Sequence, residues 1–140
     1  MFGGLVLREL NADYLMMFGR DWLKNSPTEF AFLYTYSNLP TIAHKRVVIL
    51  SNVLGDRFNL GYEKLSNLVV SKVNGQSISS IEDMKLKLKL SSVQRDGVEF
   101  AQFDFKNGDL IALPYSGLNE AHKRIGSAYG IRDAAAFFVR

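Results

Sequence analysis

Cysteine is absent from all 140 residues. That removes disulfides, thiolate metal ligation and a cysteine nucleophile together. It fits a cytosolic home and a periplasmic or organellar one equally. Histidine is nearly absent too. His44 and His122 stand in different segments, outside any His-x-x-x-His spacing, so no metal site is expected. No apolar run approaches the ~20 residues that span a bilayer, and the start shows no basic-then-apolar leader. Hydrolase and nucleotide signatures are missing as well. There is no Gly-x-Ser-x-Gly and no Gly-x-x-x-x-Gly-Lys, and Gly3-Gly4 lacks the third glycine and helix of a dinucleotide fingerprint. A stand-alone hydrolase would have only His44 or His122 as its base, with no nucleophile placed beside either. No catalytic residue, cofactor or metal is therefore assigned.

Charge is balanced rather than one-sided. Seventeen Lys and Arg face fourteen Asp and Glu, a net +3. Lys85, Lys87 and Lys89 alternate, and alternate positions on a helix do not share a face, so they form a solvated rim rather than a nucleic-acid footprint. Glu82-Asp83 falls in the first turn of a helix, where negative charge complements the dipole. Phe100, Phe103 and Phe105 carry no basic Gly-Phe signature of an RNA-stacking strand. Phe103 and Phe105 share one face and are expected in the core.

With 47% hydrophobic and 22% charged residues, the chain is long and apolar enough to fold around a core. Gly4 to Leu10 reads as a first strand. Asn11 caps a short helix, Ala12 to Phe18, that Gly19 stops. Ser26-Pro27-Thr28-Glu29 reads as a capping box, with Phe30, Leu33 and Tyr34 following at helical spacing until Asn38-Leu39-Pro40. Val47 to Val53 is a second strand, its Val-Val-Ile-Leu run suited to burial on both faces. Gly55 to Tyr62 is a loop. Leu68 to Val73 is a third strand, reversed by Asn74-Gly75, two residues that tolerate positive φ. Ser80 caps a helix over Ile81 to Leu90, with Ile81, Met84 and Leu88 on one face. Val98 to Phe105 and Leu110 to Leu113 form a hairpin across Lys106-Asn107-Gly108-Asp109. Leu118 to Tyr129 is a last helix, ended by Gly130. No repeat or low-complexity tract interrupts the sequence.

Two blocks carry a family resemblance. One is Gly3-Gly4-Leu5-Val6-Leu7-Arg8-Glu9-Leu10 with Tyr14-Leu15 and Gly19-Arg20-Asp21-Trp22. The other is Val47 to Leu54 with Asn59-Leu60-Gly61-Tyr62-Glu63 and Val69 to Gly75, and Ala128-Tyr129-Gly130-Ile131 echoes the exit. Together they resemble the second, C-terminal PDZ-like domain of Deg/HtrA-type serine proteases. The resemblance implies an α+β fold: a PDZ-like, partly open β-barrel or sandwich, with a helical insertion after the first strand and a C-terminal helix. One domain over residues 1–140 is expected, with residues 11–46 as insertion and 117–140 as closing helix and tail. The insertion is too long for a structureless loop and must fold as helices. Met1-Phe2-Gly3-Gly4 leads straight into a strand pattern, which is expected of a piece cut from a longer chain.

The resemblance also implies a site. A PDZ groove adds an extended peptide to a sheet edge and seats its terminal carboxylate in a nest of backbone amides. That places the nest at Phe2, Gly3, Gly4 and Leu5, the edge at Leu5, Val6 and Leu7, and the far wall at Met84 and Leu88. Gly4 departs from the pattern, occupying a slot that is apolar in loops that bind C-termini. The insertion holds more aromatic residues than one helix face can bury: Trp22, Phe30, Phe32, Tyr34 and Tyr36. They form either an interface or a local core. Two functions follow from the resemblance: a non-catalytic assembly or regulatory domain, and a peptide receptor. The implied partners are the trypsin-like protease domain and first PDZ domain of a longer, oligomeric chain, with no membrane span. An adjoining Gly-Asn-Ser-Gly-Gly signature would mark such a protease.

Overall fold

The computed structural model describes residues 1–37 and 46–132. Seven antiparallel strands form one sheet that does not close: β1 (Leu5–Glu9), β2 (Val48–Val53), β3 (Leu68–Val73), β4 (Gln76–Ser77), β5 (Val93–Arg95), β6 (Val98–Phe105) and β7 (Leu110–Pro114). The spatial order is β1-β2-β3-β6-β5, with β4 beside β3 and β7 beside β6, so β1 is a margin. Among the described residues five helices accompany it: α1 (Ala12–Met16), α2 (Trp22–Asn25), α3 (Thr28–Ser37), α4 (Ile81–Leu90) and α5 (Leu118–Tyr129). The α+β order, the helices after the first strand and the closing helix are those expected.

The turns show why the strands end where they do. Asn74 and Gly75 adopt φ of 50° and 78°, the two-residue hairpin geometry, and join β3 to the short β4. Asp96 and Gly97 do the same between β5 and β6, at 51° and 78°. That hairpin was as legible as the first but is absent from the sequence reading, as are α2, β4 and the 3-10 turn Arg57–Asn59.

The sheet is covered on both faces. Leu5, Leu7, Val48, Leu50, Val70, Met84, Leu88, Phe103 and Phe105 are among the residues of the main core, which lies under α4. Ile49 and Val69, on the opposite face of β2 and β3, form a second core with Tyr14, Leu15 and Phe30 of the insertion. The two-sided burial expected of the Val-Val-Ile-Leu run follows directly. Tyr14 anchors the insertion: its hydroxyl donates to Asn67 Oδ1 at 2.7 Å, and the Arg8 guanidinium lies 4.7 Å over its ring. Asn11 caps α1 as expected, accepting from the Tyr14 amide at 2.9 Å.

The capping box at Ser26 does not form. Ser26 closes α2, donating its amide to the Trp22 carbonyl at 2.9 Å, and only Ser26 and Pro27 separate α2 from α3. The first bonds of α3 therefore run from Phe30 and Ala31 to the Pro27 carbonyl, and the buried Ser26 Oγ has no partner. Ser80 behaves as expected, its Oγ accepting from Asp83 N at 3.0 Å.

Phe30 is fully buried whereas Phe32 is 56% exposed. Phe30→Ala should cost about 3–5 kcal/mol by urea unfolding, from lost transfer energy and a cavity. Phe32→Ala should stay within about 0.5 kcal/mol. Equal losses would contradict this division of the helix.

Candidate functional site

The expected nest precedes β1. Gly3 and Gly4 hold φ of 54° and 93°, so both need the freedom of glycine. Space demands it too. A Cβ on Gly3 would sit 2.7 Å from Leu113 Cδ1, and one on Gly4 would overlap the Asn59 side-chain amide and the Leu54 carbonyl.

Three of the four nest amides are spent within the protein. Phe2 N donates to Leu5 O at 2.9 Å and Leu5 N to Phe2 O at 2.8 Å. Gly3 N donates to His122 Nε2 at 2.8 Å. His122 comes from α5 and is 0% exposed, with the Phe2 ring edge-on at 6.2 Å. The carbonyl side is held as firmly. Asn59 Nδ2 donates to Gly3 O at 2.8 Å and Leu54 O at 2.9 Å, while Asn59 Oδ1 accepts from Asp56 N at 3.0 Å. Asp56 Oδ1 in turn accepts from Phe58 N at 2.9 Å, which completes a capping box around the 3-10 turn.

An ion pair ties this turn to α5. Arg124 donates to Asp56 through Nη2 at 2.7 Å and Nε at 3.1 Å, a two-point contact. The hydrogen bond from Arg124 holds the Asp56 carboxyl below its usual 3.8. Two glycines at 117 and 130, with φ of 81° and 67°, bound α5, and Leu118, Ala121, Ile125 and Gly126 are buried beneath it.

The expected groove wall is also packed. Met84 and Leu88 are 0% and 1% exposed and share a core with Leu5 and Leu7, while Val6 is half-buried. At the far end of β1 the Glu9 carboxylate accepts from the Ile81 amide at 3.1 Å and from Arg46 at 3.1 Å. Arg46 N donates to Ser79 O at 2.8 Å, so the start of α4 is tied down beside β1. Residues of α1 to α3 pack on the Ile49 and Val69 face instead.

The aromatic set of the insertion divides. Phe30 is core. Trp22 and Tyr34 are half-buried and meet edge-on at 5.8 Å. Phe32 is exposed. The side chain of Tyr36, like His44, lies outside the described residues. The same helices expose Met16, Met17 and Leu23 at 67%, 74% and 65%, apolar residues that aromatic content alone did not flag. Sequence reasoning also missed Asn59, Asp56, Arg124 and the role of His122. Asp56-x-x-Asn59 has cap spacing and was a usable signal for the first two. Nothing local marks His122, whose partner is 119 positions away. Among the described residues no group of three or more His, Asp or Glu could hold a metal, and no helix is long and apolar enough to cross a membrane.

An antiparallel sheet with a glycine turn before its marginal strand, and a helix laid along that strand, defines a PDZ-type interaction domain. The PDZ domain family matches residues 1–136, and the chain belongs to it. The chain is 26% identical over 136 residues to "Putative protease Do-like 3, mitochondrial" of Arabidopsis thaliana, covering 97% of this chain and 22% of that protein. It thus spans about a fifth of the length of that curated relative. It is a PDZ domain, similar to part of a Do-like protease.

Asn59→Asp keeps size but loses the donor that Gly3 and Leu54 share. It should destabilise by about 2–4 kcal/mol in urea, as should Asn59→Ala, because buried carbonyls are left without partners. Wild-type stability from Asp56 is present above about pH 3.8 and is lost as pH falls through the depressed folded value, since the unfolded carboxyl protonates first. Arg124→Met should therefore shift the acid unfolding midpoint. An unchanged midpoint would mean the pair does not matter.

Proposed function

We propose that this domain serves assembly or inter-domain regulation in a Deg/HtrA-type serine endopeptidase, rather than acting as its receptor for peptide C-termini. Residues 1–140 act as one unit in this reading. The partners are the trypsin-like domain and first PDZ domain of the longer chain, and further copies of it. The observation that carries the reading is the state of the nest. Phe2, Gly3 and Leu5 already donate their amides internally, and the wall at Met84 and Leu88 is buried in the protein's own core. A carboxylate arriving there would have to displace protein–protein bonds of equal kind, and a peptide side chain would find its apolar wall already covered.

Contact then falls to other surfaces. Phe32, Met16, Met17 and Leu23 expose apolar side chains on the insertion, which supports an interface there. A second reading, peptide addition at β1 with the nest at Phe2 to Leu5, draws on one observation: β1 is the margin of the sheet.

Leu23→Glu with Phe32→Glu should lower the light-scattering mass of the full-length protease without changing the melting of this domain. Titration of this chain with C-terminal peptides at neutral pH should give no binding. Unchanged mass, or affinity that vanishes when the peptide carboxylate is amidated, would favour the receptor instead.

A further inference from the structure

The ring that closes the nest is titratable. His122 accepts the Gly3 amide through Nε2, which requires a lone pair there, so the ring is neutral with its proton on Nδ1. Nδ1 is buried and has no hydrogen-bond partner. Hence no carboxylate bonds either ring nitrogen to favour a charged form. The nearest carboxylate on the neighbouring turn, Asp56, is already held by Arg124. Burial keeps the imidazole below its ordinary 6.5. The Gly3 carbonyl is fixed independently by Asn59, so only the amide side of this residue depends on protonation.

We propose that His122 is an acid-released latch on the Phe2–Leu5 loop. A solvent proton added at Nε2 consumes the lone pair that holds Gly3 N–H and sets two donors against each other. The Phe2–Gly3 peptide unit must turn away from α5, which frees an amide in the place where a terminal carboxylate would sit. Because the unfolded or opened form takes up the proton first, the latch holds through neutral pH and weakens as pH falls below about 6.5. This extends the reading of the nest as closed, and its test reads the loop itself rather than assembly.

Amide hydrogen exchange and ring titration by NMR on the 140-residue chain test it. Between about pH 7.5 and about pH 5, the Gly3 protection factor should fall about tenfold or more, with a midpoint matching the His122 ring, while Phe103 in β6 keeps its protection. In His122→Gln the side-chain oxygen can take the place of Nε2 but cannot titrate, so Gly3 protection should not change with pH. Equal Gly3 protection at both pH values in the wild type would overturn the latch. So would a loss whose midpoint departs from the ring titration, or the same loss in His122→Gln. If that variant does not fold, the match of midpoints in the wild type decides alone.

Discussion

The backbone of a single residue, Gly3, is gripped from both directions. Asn59 holds its carbonyl and His122 holds its amide. Buried backbone groups must be paired, and here the pairs come from segments 56 and 119 positions away. The geometry of the strand margin therefore depends on the 3-10 turn and on α5 being in place. Asp56 links those two supports to each other through Arg124. The loop before β1 is the point where three separate parts of the chain converge.

The same economy applies to the sheet. β2 and β3 alternate between two cores, with Val48 and Leu50 under α4 and Ile49 and Val69 under the insertion. A strand buried on both faces cannot slip register without exposing apolar side chains on one of them. The insertion is thus part of what fixes the sheet, while α1 to α3 still leave Met16, Met17, Leu23 and Phe32 facing outward. The same short helices thus carry both buried and outward-facing apolar residues.

Much of the fold was legible from local chemistry. Asn11 and Ser80 capped where their spacing said they would, and Asn74-Gly75 turned where positive φ was needed. The misses also have local physical causes. Ser26 had every feature of a cap, but a preceding helix claimed it, and propensity yields to the neighbour that forms. Trp22, Phe30, Phe32 and Tyr34 read alike as aromatics, yet their burial runs from complete to slight: on α3, Phe30 and Tyr34 share a face that Phe32, two positions on, does not.

What the sequence determined was the identity and order of the longer elements, since helix caps, glycine turns and apolar periodicity act over a few residues. The blocks around Gly3-Gly4 and Val47 to Gly75 also carried the family. Tertiary structure alone decided that the Phe2–Leu5 loop is bonded from within and that Met84 and Leu88 of α4 are buried. Those outcomes depend on which distant polar groups arrive to satisfy Gly3, and a hydrogen bond spanning 119 residues leaves no trace in local spacing.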